Sequence, residues 1–116
     1  MRPRLLIVDD HVGFRAAARA LFESAGFEVV GEAADGETAL AEAESVDPGV
    51  ALLDVHLPGM DGFAVAERLA AMPRPPVVVL TSSRPITDLR RRLAASPAVG
   101  FLAKDELSGP ALAALI

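Results

Sequence analysis

Short apolar runs alternate with longer amphipathic stretches along the whole chain. Four runs are continuously apolar, at residues 5–8, 50–53, 77–80 and 101–103. Continuous runs of this length are typical of strands that are buried on both faces of a parallel sheet. A fifth segment, at residues 27–34, mixes polar and apolar positions and predicts an edge strand.

Helical patterns lie between the strands. The first places four apolar side chains on one face, and Gly26 stands where a helix C-terminal glycine is expected. We expect that face to pack on the sheet. Its four members are Phe14, Ala18, Leu21 and Phe22.

Four further helices are expected after Asp35, Asp61, Pro85 and Ser108, the last running to the chain end. Both aspartates suit the N-cap position, because a carboxylate accepts hydrogen bonds from the free N–H groups of a first helical turn. The helix after Pro85 should end before Pro97, which has no N–H to donate. The side chains expected to face the core in the third helix are Phe63, Val65, Ala66 and Leu69.

This order of elements predicts the fold class. Strands that are each followed by a helix are typical of an α/β doubly wound parallel sheet, with right-handed crossovers and helices on both faces. The length of 116 residues suits one domain.

Polar residues follow the predicted strands at the point where each strand ends. Asp9 and Asp10 follow the first strand, Asp54 the third, Thr81 the fourth and Lys104 the fifth. In open α/β sheets the ligand site lies beyond the carboxyl ends of the strands, where the strand order reverses. For a strand order of 2-1-3-4-5 that point lies between strands one and three, which carry all three aspartates.

Three carboxylates in one crevice repel one another. Two unit charges ~4 Å apart at an effective dielectric constant of ~20 cost about 4 kcal/mol. Either one carboxyl keeps its proton or a cation is bound, and oxygen ligands favour Mg²⁺, with Mn²⁺ as a substitute. An open Mg²⁺ site usually takes phosphate oxygens as further ligands.

Lys104 and Thr81 fit the same chemistry, because an ammonium and a hydroxyl can stabilise a phosphoryl group. One carboxylate could then be the nucleophile that forms an acyl phosphate. Asp54 is the candidate, since it stands alone at its strand end, whereas Asp9 and Asp10 are paired and better suited to a cation.

Simpler interpretations exist for each polar residue taken singly. Strand-end aspartates often serve only as caps, and Asp61, in the same loop as Asp54, is expected to do so. His11 and His56 flank the site and are more often rim residues than ligands. The run of three arginines at residues 90–92 is most simply a solvated helix face.

Composition narrows the function classes. The chain has no cysteine, which excludes disulfides, thiolate metal ligands and a cysteine nucleophile. Its net charge of −5 argues against nucleic-acid binding by this chain itself. No apolar run approaches the roughly 20 residues of a membrane span, and the N-terminal run is too short for a signal peptide. We therefore expect a cytoplasmic protein with no membrane contact.

Four motifs together resemble the receiver domain of two-component response regulators. They are "LLIVDDH", "LLDVHLPGMDG", "VVVLTS" and "GFLAKD", and they cover nearly the whole chain in order. The resemblance implies a flavodoxin-like fold, a five-stranded sheet of order 2-1-3-4-5, and phosphorylation of Asp54 by the phosphohistidine of a sensor histidine kinase. It also implies that Asp10, Asp54 and the backbone carbonyl of His56 bind Mg²⁺ directly, with Asp9 acting largely through water.

The resemblance implies three further roles. Lys104 would contact the phosphoryl group, Thr81 would be the switch hydroxyl, and Phe101 would fill a switch position where tyrosine is more usual. Phosphorylation would then reshape the face formed by the fourth helix, fifth strand and fifth helix, which would bind a partner or a second copy as a homodimer. Such a domain is no enzyme beyond its own phosphorylation and dephosphorylation.

Two details narrow the subfamily. Asp-Asp-His near the start and Asp105 after Lys104 resemble receivers joined to a C-terminal helix-turn-helix DNA-binding domain. No such domain lies in residues 1–116, and the last helix is short. We therefore expect a truncated last helix and a receiver that belongs to a longer transcription regulator. One extra residue around Ser96 and Pro97 should alter the length and position of the fourth helix.

Three other functions compete with this interpretation. A Mg²⁺-dependent phosphohydrolase would want a carboxylate at position 56, where this chain has histidine. A nucleotide or flavin module would want a glycine-rich phosphate loop, and neither G-x-x-x-x-G-K nor G-x-G-x-x-G occurs. A degenerate or stand-alone receiver acting as a protein-interaction module should have lost an acid or the lysine, and both are present.

Overall fold

The computed structural model describes residues 2–85, 87 and 89–116, which form a parallel sheet flanked by helices. The strands are β1 (Arg4–Val8), β2 (Glu28–Ala33), β3 (Val50–Asp54), β4 (Val77–Ser82) and β5 (Gly100–Ala103). The helices are α1 (Val12–Ser24), α2 (Gly36–Val46), α3 (Gly62–Ala70), α4 (Arg90–Ala95) and α5 (Gly109–Ala113), and a 3₁₀ turn spans Lys104–Glu106.

The strands are all parallel and lie in the order β2-β1-β3-β4-β5. The chain therefore reverses its direction across the sheet after β2, so that α1 and α5 pack on one face of the sheet and α2 and α3 on the other. This confirms the predicted doubly wound fold and the edge position of β2. The reversal leaves a crevice at the carboxyl ends of β1 and β3.

Alternate side chains of the central strands enter two separate cores. Leu6 and Val8 of β1 pack on the face covered by α2 and α3. Leu5 and Ile7 pack on the opposite face with Phe22 of α1 and with α5. Since the side chains of residues 5–8 are all buried, this part of β1 must be apolar on both faces, which explains the continuous run in the sequence.

Two burial predictions were wrong. Leu21 is 41% exposed, whereas Ala18 and Phe22 are the buried residues through which α1 packs on the sheet. The run at residues 101–103 is not buried on both faces, since every residue of β5 is only half-buried. β5 is the second edge of the sheet, and the short helices α4 and α5 cover it incompletely.

The fourth helix is shorter than predicted. It begins at Arg90, and the predicted start falls partly on Ile86 and Asp88, which lie outside the described residues. It ends before Pro97 as expected. None of its six residues is buried, which agrees with the interpretation of the arginine run as a solvated face.

One arginine of that run nevertheless joins α4 to α3. Arg92 Nη2 lies 2.7 Å from Asp61 Oδ2, and the guanidinium lies 4.2 Å from the centre of the Phe63 ring.

The predicted helix boundaries at Asp35, Asp61 and Ser108 are confirmed. Each side chain accepts a hydrogen bond from the backbone N–H three residues later, at 2.8, 3.0 and 3.1 Å respectively. Gly26 ends α1 with φ +95°, a conformation that glycine adopts without strain. The last helix stops at Ala113, short of the predicted chain end. Within the described ranges, no helix has both the length and the apolar character that crossing a membrane requires.

Gly62 lets α3 begin directly against the end of β3. Its N–H donates to the carbonyl of Val55 at 2.9 Å. A Cβ at this position would fall against the backbone carbonyl oxygen of Asp54 and 2.9 Å from the Cα of Val55. The close approach therefore fixes the backbone that carries Asp54.

We predict that Gly62→Ala destabilises the protein by about 1–3 kcal/mol, because backbone atoms must move to admit the methyl group. Gly13→Ala is the matched control, since no atom lies within 4 Å of a Cβ there and alanine favours a helix by roughly 0.5–1 kcal/mol over glycine. Urea unfolding measures both free energies. Equal stabilities for the two variants would contradict the close-approach argument.

Candidate functional site

Three charged side chains that are distant in the sequence meet at the carboxyl end of the sheet. Lys104 Nζ lies 2.6 Å from Asp9 Oδ2 and 3.0 Å from Asp54 Oδ2. Asp9 and Asp54 are buried, with exposed fractions of 0% and 3%. One ammonium thus bridges two buried carboxylates that follow β1 and end β3.

Backbone N–H groups hold the other oxygen of each carboxylate. His11 N donates to Asp9 Oδ1 at 2.8 Å, and His56 N donates to Asp54 Oδ1 at 2.9 Å. Both contacts follow the local pattern in which an aspartate bonds the backbone two residues on. Lys104 contacts the second oxygen of each carboxylate, through a hydrogen bond to Asp54 and through an ion pair without hydrogen-bond geometry to Asp9, so both carboxylates are oriented before any ligand binds.

Asp10 and His11 complete the cluster on its solvent side. The Asp10 side chain is partly exposed, and His11 Nδ1 lies 3.1 Å from both Asp9 Oδ1 and Asp10 Oδ1. His11 is exposed, as expected of a rim residue, yet its ring touches both acids. Each of Asp9, Asp10, His11 and Asp54 offers a ligand atom within 4.8 Å of the others.

This donor set fits a magnesium ion. Three carboxylates face a single lysine, so the cluster carries an excess of negative charge that a divalent cation would offset. Carboxylate oxygens are the ligands that Mg²⁺ prefers in proteins. Asp9, Asp10 and Asp54 are the residues that could hold it.

Burial raises and Lys104 lowers the pKa of both buried aspartates, but the net shift differs between the two. Burial raises the pKa of Asp54, the nearby Asp9 carboxyl raises it further, and the His56 N–H and Lys104 do not cancel these effects. Burial also raises the pKa of Asp9, but the Lys104 ammonium and the His11 N–H outweigh it, so that pKa is lowered. Burial lowers the pKa of Lys104, and the two carboxylates more than compensate and raise it. Asp9 therefore keeps its charge more readily than Asp54.

Thr81 lies beside Asp54 in the register of β3 and β4. Its hydroxyl is buried and makes no hydrogen bond within the described part of the chain. Leaving a buried polar atom unpaired typically costs about 1–3 kcal/mol. The hydroxyl is therefore free to donate to an oxygen brought next to Asp54.

Of the remaining predicted site residues, Phe101 packs in the core and His56 contacts Asp54. Phe101 is half-buried on β5 and packs against the core on the α2–α3 face. His56 contacts Asp54 through its backbone N–H, and the role of its carbonyl as a metal ligand stays a prediction.

Two further residues contact the site without having been predicted to do so. The Phe14 ring lies 4.2 Å beneath the Lys104 ammonium, where its face attracts the cation. Arg15 Nη1 donates to the backbone carbonyl of Asp9 at 2.6 Å. The sequence feature that could have indicated these contacts is the position of both residues in the first turn of the helix that directly follows Asp9 and Asp10.

The comparison with protein families decides what kind of domain this is. The family model of the response regulator receiver domain matches residues 5–115 of this chain. The chain belongs to this family. Receivers bind Mg²⁺ at an acidic pocket and interact with histidine kinases and phosphotransfer partners, and those of transcription regulators are signalling domains rather than enzymes.

Curated relatives of the receiver include transcription regulators. NarL of Mycobacterium tuberculosis is 41% identical over 103 residues, which are 88% of this chain and 48% of NarL. BvgA of Bordetella pertussis, a transcription regulator of virulence factors, is 38% identical over 106 residues, which are 91% of this chain and 51% of BvgA. The chain spans about half the length of these relatives.

Solved structures show the same fold. The signal receiver domain of NarL from Mycobacterium tuberculosis superposes with a TM-score of 0.85 at 37% identity, covering 98% of this chain and 96% of that one. The complex of CheX, CheY, BeF₃ and Mg²⁺ from Borrelia burgdorferi contains a chain with a TM-score of 0.83 at 25% identity, covering 97% of this chain and 84% of that one.

We predict that Asp54→Asn stabilises the metal-free receiver at pH 7. The folded-state pKa of Asp54 is raised above the unfolded value of about 3.9, so its contribution favours folding at low pH and is lost as pH rises through the folded pKa. Removing the charge should increase the free energy of unfolding by on the order of 1 kcal/mol at pH 7, and by less near pH 4.

Urea unfolding in EDTA at the two pH values measures this gain. Asp105→Asn is the control, because it removes the same charge from an exposed position outside the cluster. An equal effect of both variants would show that net charge, and not the buried cluster, governs stability.

Proposed function

We propose that Asp54 accepts a phosphoryl group from the phosphohistidine of a sensor histidine kinase, in a reaction that depends on Mg²⁺. The observation that carries the proposal is the meeting of Asp9, Asp54 and Lys104 at the carboxyl end of the sheet, in a chain of the receiver family. Of the three aspartates in the cluster, Asp54 is the one that ends a strand, and it lies beside the buried, unpaired hydroxyl of Thr81.

The transfer forms an acyl phosphate. A carboxylate oxygen of Asp54 attacks phosphorus while the bond from phosphorus to the donor imidazole nitrogen breaks, and the electron pair stays on that nitrogen. Lys104, now 3.0 Å from Asp54 Oδ2, turns to a phosphoryl oxygen, and the Thr81 hydroxyl donates to another. These two donors stabilise the charge that gathers on the transferred group.

Asp10, Asp54 and the backbone carbonyl of His56 are the proposed direct ligands of Mg²⁺, with Mn²⁺ as a substitute. Asp9 is proposed to act largely through water, and Lys104 contacts one of its oxygens and the His11 N–H the other. When bound, the cation offsets the carboxylate charge and binds phosphoryl oxygens. The Borrelia burgdorferi complex, which contains CheX, CheY, BeF₃ and Mg²⁺ and has a chain of the same fold, supports Mg²⁺ as the cation.

The new phosphoryl group is the proposed switch. It adds a charge of roughly −1.5 to −2 and three acceptor oxygens. Thr81 moves toward it, Phe101 rotates into the space, and the face of α4, β5 and α5 changes shape and is captured by a partner or by a second copy. The half-burial of β5 and the absence of buried residues in α4 support this face as the part that moves.

The output is proposed to be transcription regulation in the cytoplasm, with this receiver as one part of a longer chain that carries a helix-turn-helix domain. Its likeness to NarL and BvgA, of which it spans about half, supports this. Reading the gene beyond the codon for Ile116 tests the proposal. A helix-turn-helix segment in frame supports it, and a stop codon directly after Ile116 contradicts it.

We predict that acetyl phosphate with Mg²⁺ phosphorylates the wild-type chain once, giving a hydroxylamine-labile mass increment. EDTA should abolish labelling, because the carboxylates then repel the incoming anion. Asp54→Asn should remain unlabelled, while Asp61→Asn, in the same loop, should be labelled like wild type because Asp61 caps α3.

Each alternative function gives a different result in this experiment. Labelling of Asp54→Asn would reject Asp54 as the acceptor. An unlabelled wild type would favour a degenerate receiver that acts only by binding. Release of inorganic phosphate from many substrates without a labelled intermediate would favour a phosphohydrolase.

A further inference from the structure

We infer that Arg15 is a positioning residue for the metal site, and that it acts by holding the peptide group between Asp9 and Asp10. The inference rests on the proposed Mg²⁺-dependent function, because it concerns how the ligands are presented. Arg15 has no carboxylate of the cluster as a partner and cannot itself bind a cation. Its contact is with the main chain that carries two of the acids.

Arg15 reaches this main chain from the first turn of α1. Its Nη1 donates to the Asp9 carbonyl at 2.6 Å, while its Nε lies 3.2 Å from Oε1 of Glu32 on the edge strand β2. Only 16% of the Arg15 side chain is exposed. The guanidinium is thus fixed at one end by Glu32 and fixes the Asp9 carbonyl at the other.

The planarity of the peptide bond converts this contact into control of Asp10. The Asp9 carbonyl oxygen and the Asp10 nitrogen lie in one rigid plane, so holding the oxygen also orients the Asp10 backbone. On the other side, the Asp9 N–H donates to the Ala33 carbonyl at 3.0 Å. Asp9 is further held through its side chain, whereas Asp10 is partly exposed and depends on the orientation of this peptide.

Charge and positioning make opposite predictions for Arg15. If Arg15 acted only through its positive charge, its removal would lower the repulsion of an incoming cation and tighten Mg²⁺ binding. If it acts by orienting the Asp10 peptide, its removal frees a ligand and weakens Mg²⁺ binding. Groups that orient metal ligands typically contribute about 10–100-fold to affinity.

Arg19 is a matched control within the same ion network. It lies one turn further along α1, and its Nη1 contacts the other oxygen of Glu32 at 2.7 Å. Like Arg15 it carries one positive charge and pairs with Glu32, and it also pairs with Glu23, but its backbone contact is with the Val29 carbonyl, away from the acids. Loss of Arg19 therefore reproduces the change in charge and in the Glu32 pairing, and leaves the Asp9 carbonyl bonded.

Isothermal titration calorimetry with MgCl₂ tests the inference on wild type, Arg15→Met, Arg15→Lys and Arg19→Met, since the chain has no tryptophan or tyrosine to report binding by fluorescence. We expect about tenfold weaker Mg²⁺ binding for both Arg15 variants, because lysine keeps the charge but not the forked contact. Arg19→Met should stay within about twofold of wild type. Far-ultraviolet circular dichroism and urea unfolding confirm that each variant is folded.

The outcomes separate this inference from the function on which it rests. Wild-type affinity in Arg15→Met, tighter binding in Arg15→Met, or equal weakening in Arg19→Met would overturn the positioning role while leaving the Mg²⁺ site intact. A wild-type chain that binds no Mg²⁺ would overturn the proposed function and the positioning role together. Should Arg15→Met fail to fold, Arg15→Lys gives the same comparison with the charge retained.

Discussion

A single ammonium shared between two buried carboxylates is the interaction on which the site depends. Lys104 lies against both Asp9 and Asp54, and its removal would leave two buried carboxylates without a counter-charge, a change that typically costs about 3–5 kcal/mol. The three residues come from three different strand ends. This bridge can form only if the strands are parallel and in this order, and if α3 begins close against β3 at Gly62. The chemistry of the site therefore depends on the topology of the sheet.

The polar centre was predictable from the sequence because strand ends in a parallel sheet share one edge. Asp9, Asp54 and Lys104 each follow a recognisable apolar run, and their convergence requires no knowledge of side-chain rotamers. The contacts of Phe14 and Arg15 were not predictable in this way, since they depend on how α1 is rotated against the sheet. A helical pattern defines which residues share a face, but that face can turn by one residue, as the exposure of Leu21 shows.

The fifth strand shows a different limit. Its apolar run matches those of the central strands, yet burial depends on what covers a strand and not on its own composition. α4 and α5 contribute six and five residues, too few to cover both faces of β5. How completely helices cover a strand depends on segments distant in the sequence. The local pattern therefore predicted correctly that β5 is a strand, but predicted wrongly that it is buried on both faces.

The incomplete cover of β5 and α4 bears on how much free energy is needed to change the conformation of this face. Moving a two-state equilibrium from 1:99 to 99:1 takes about 5.5 kcal/mol, and charge-assisted hydrogen bonds each supply roughly 1.5–3 kcal/mol. A strand sealed in the core would need more than a few such bonds to shift it. In the proposed switch, the half-buried β5 has less apolar cover to disturb than a central strand, and about two to four such hydrogen bonds to the phosphoryl group would supply a shift of that size.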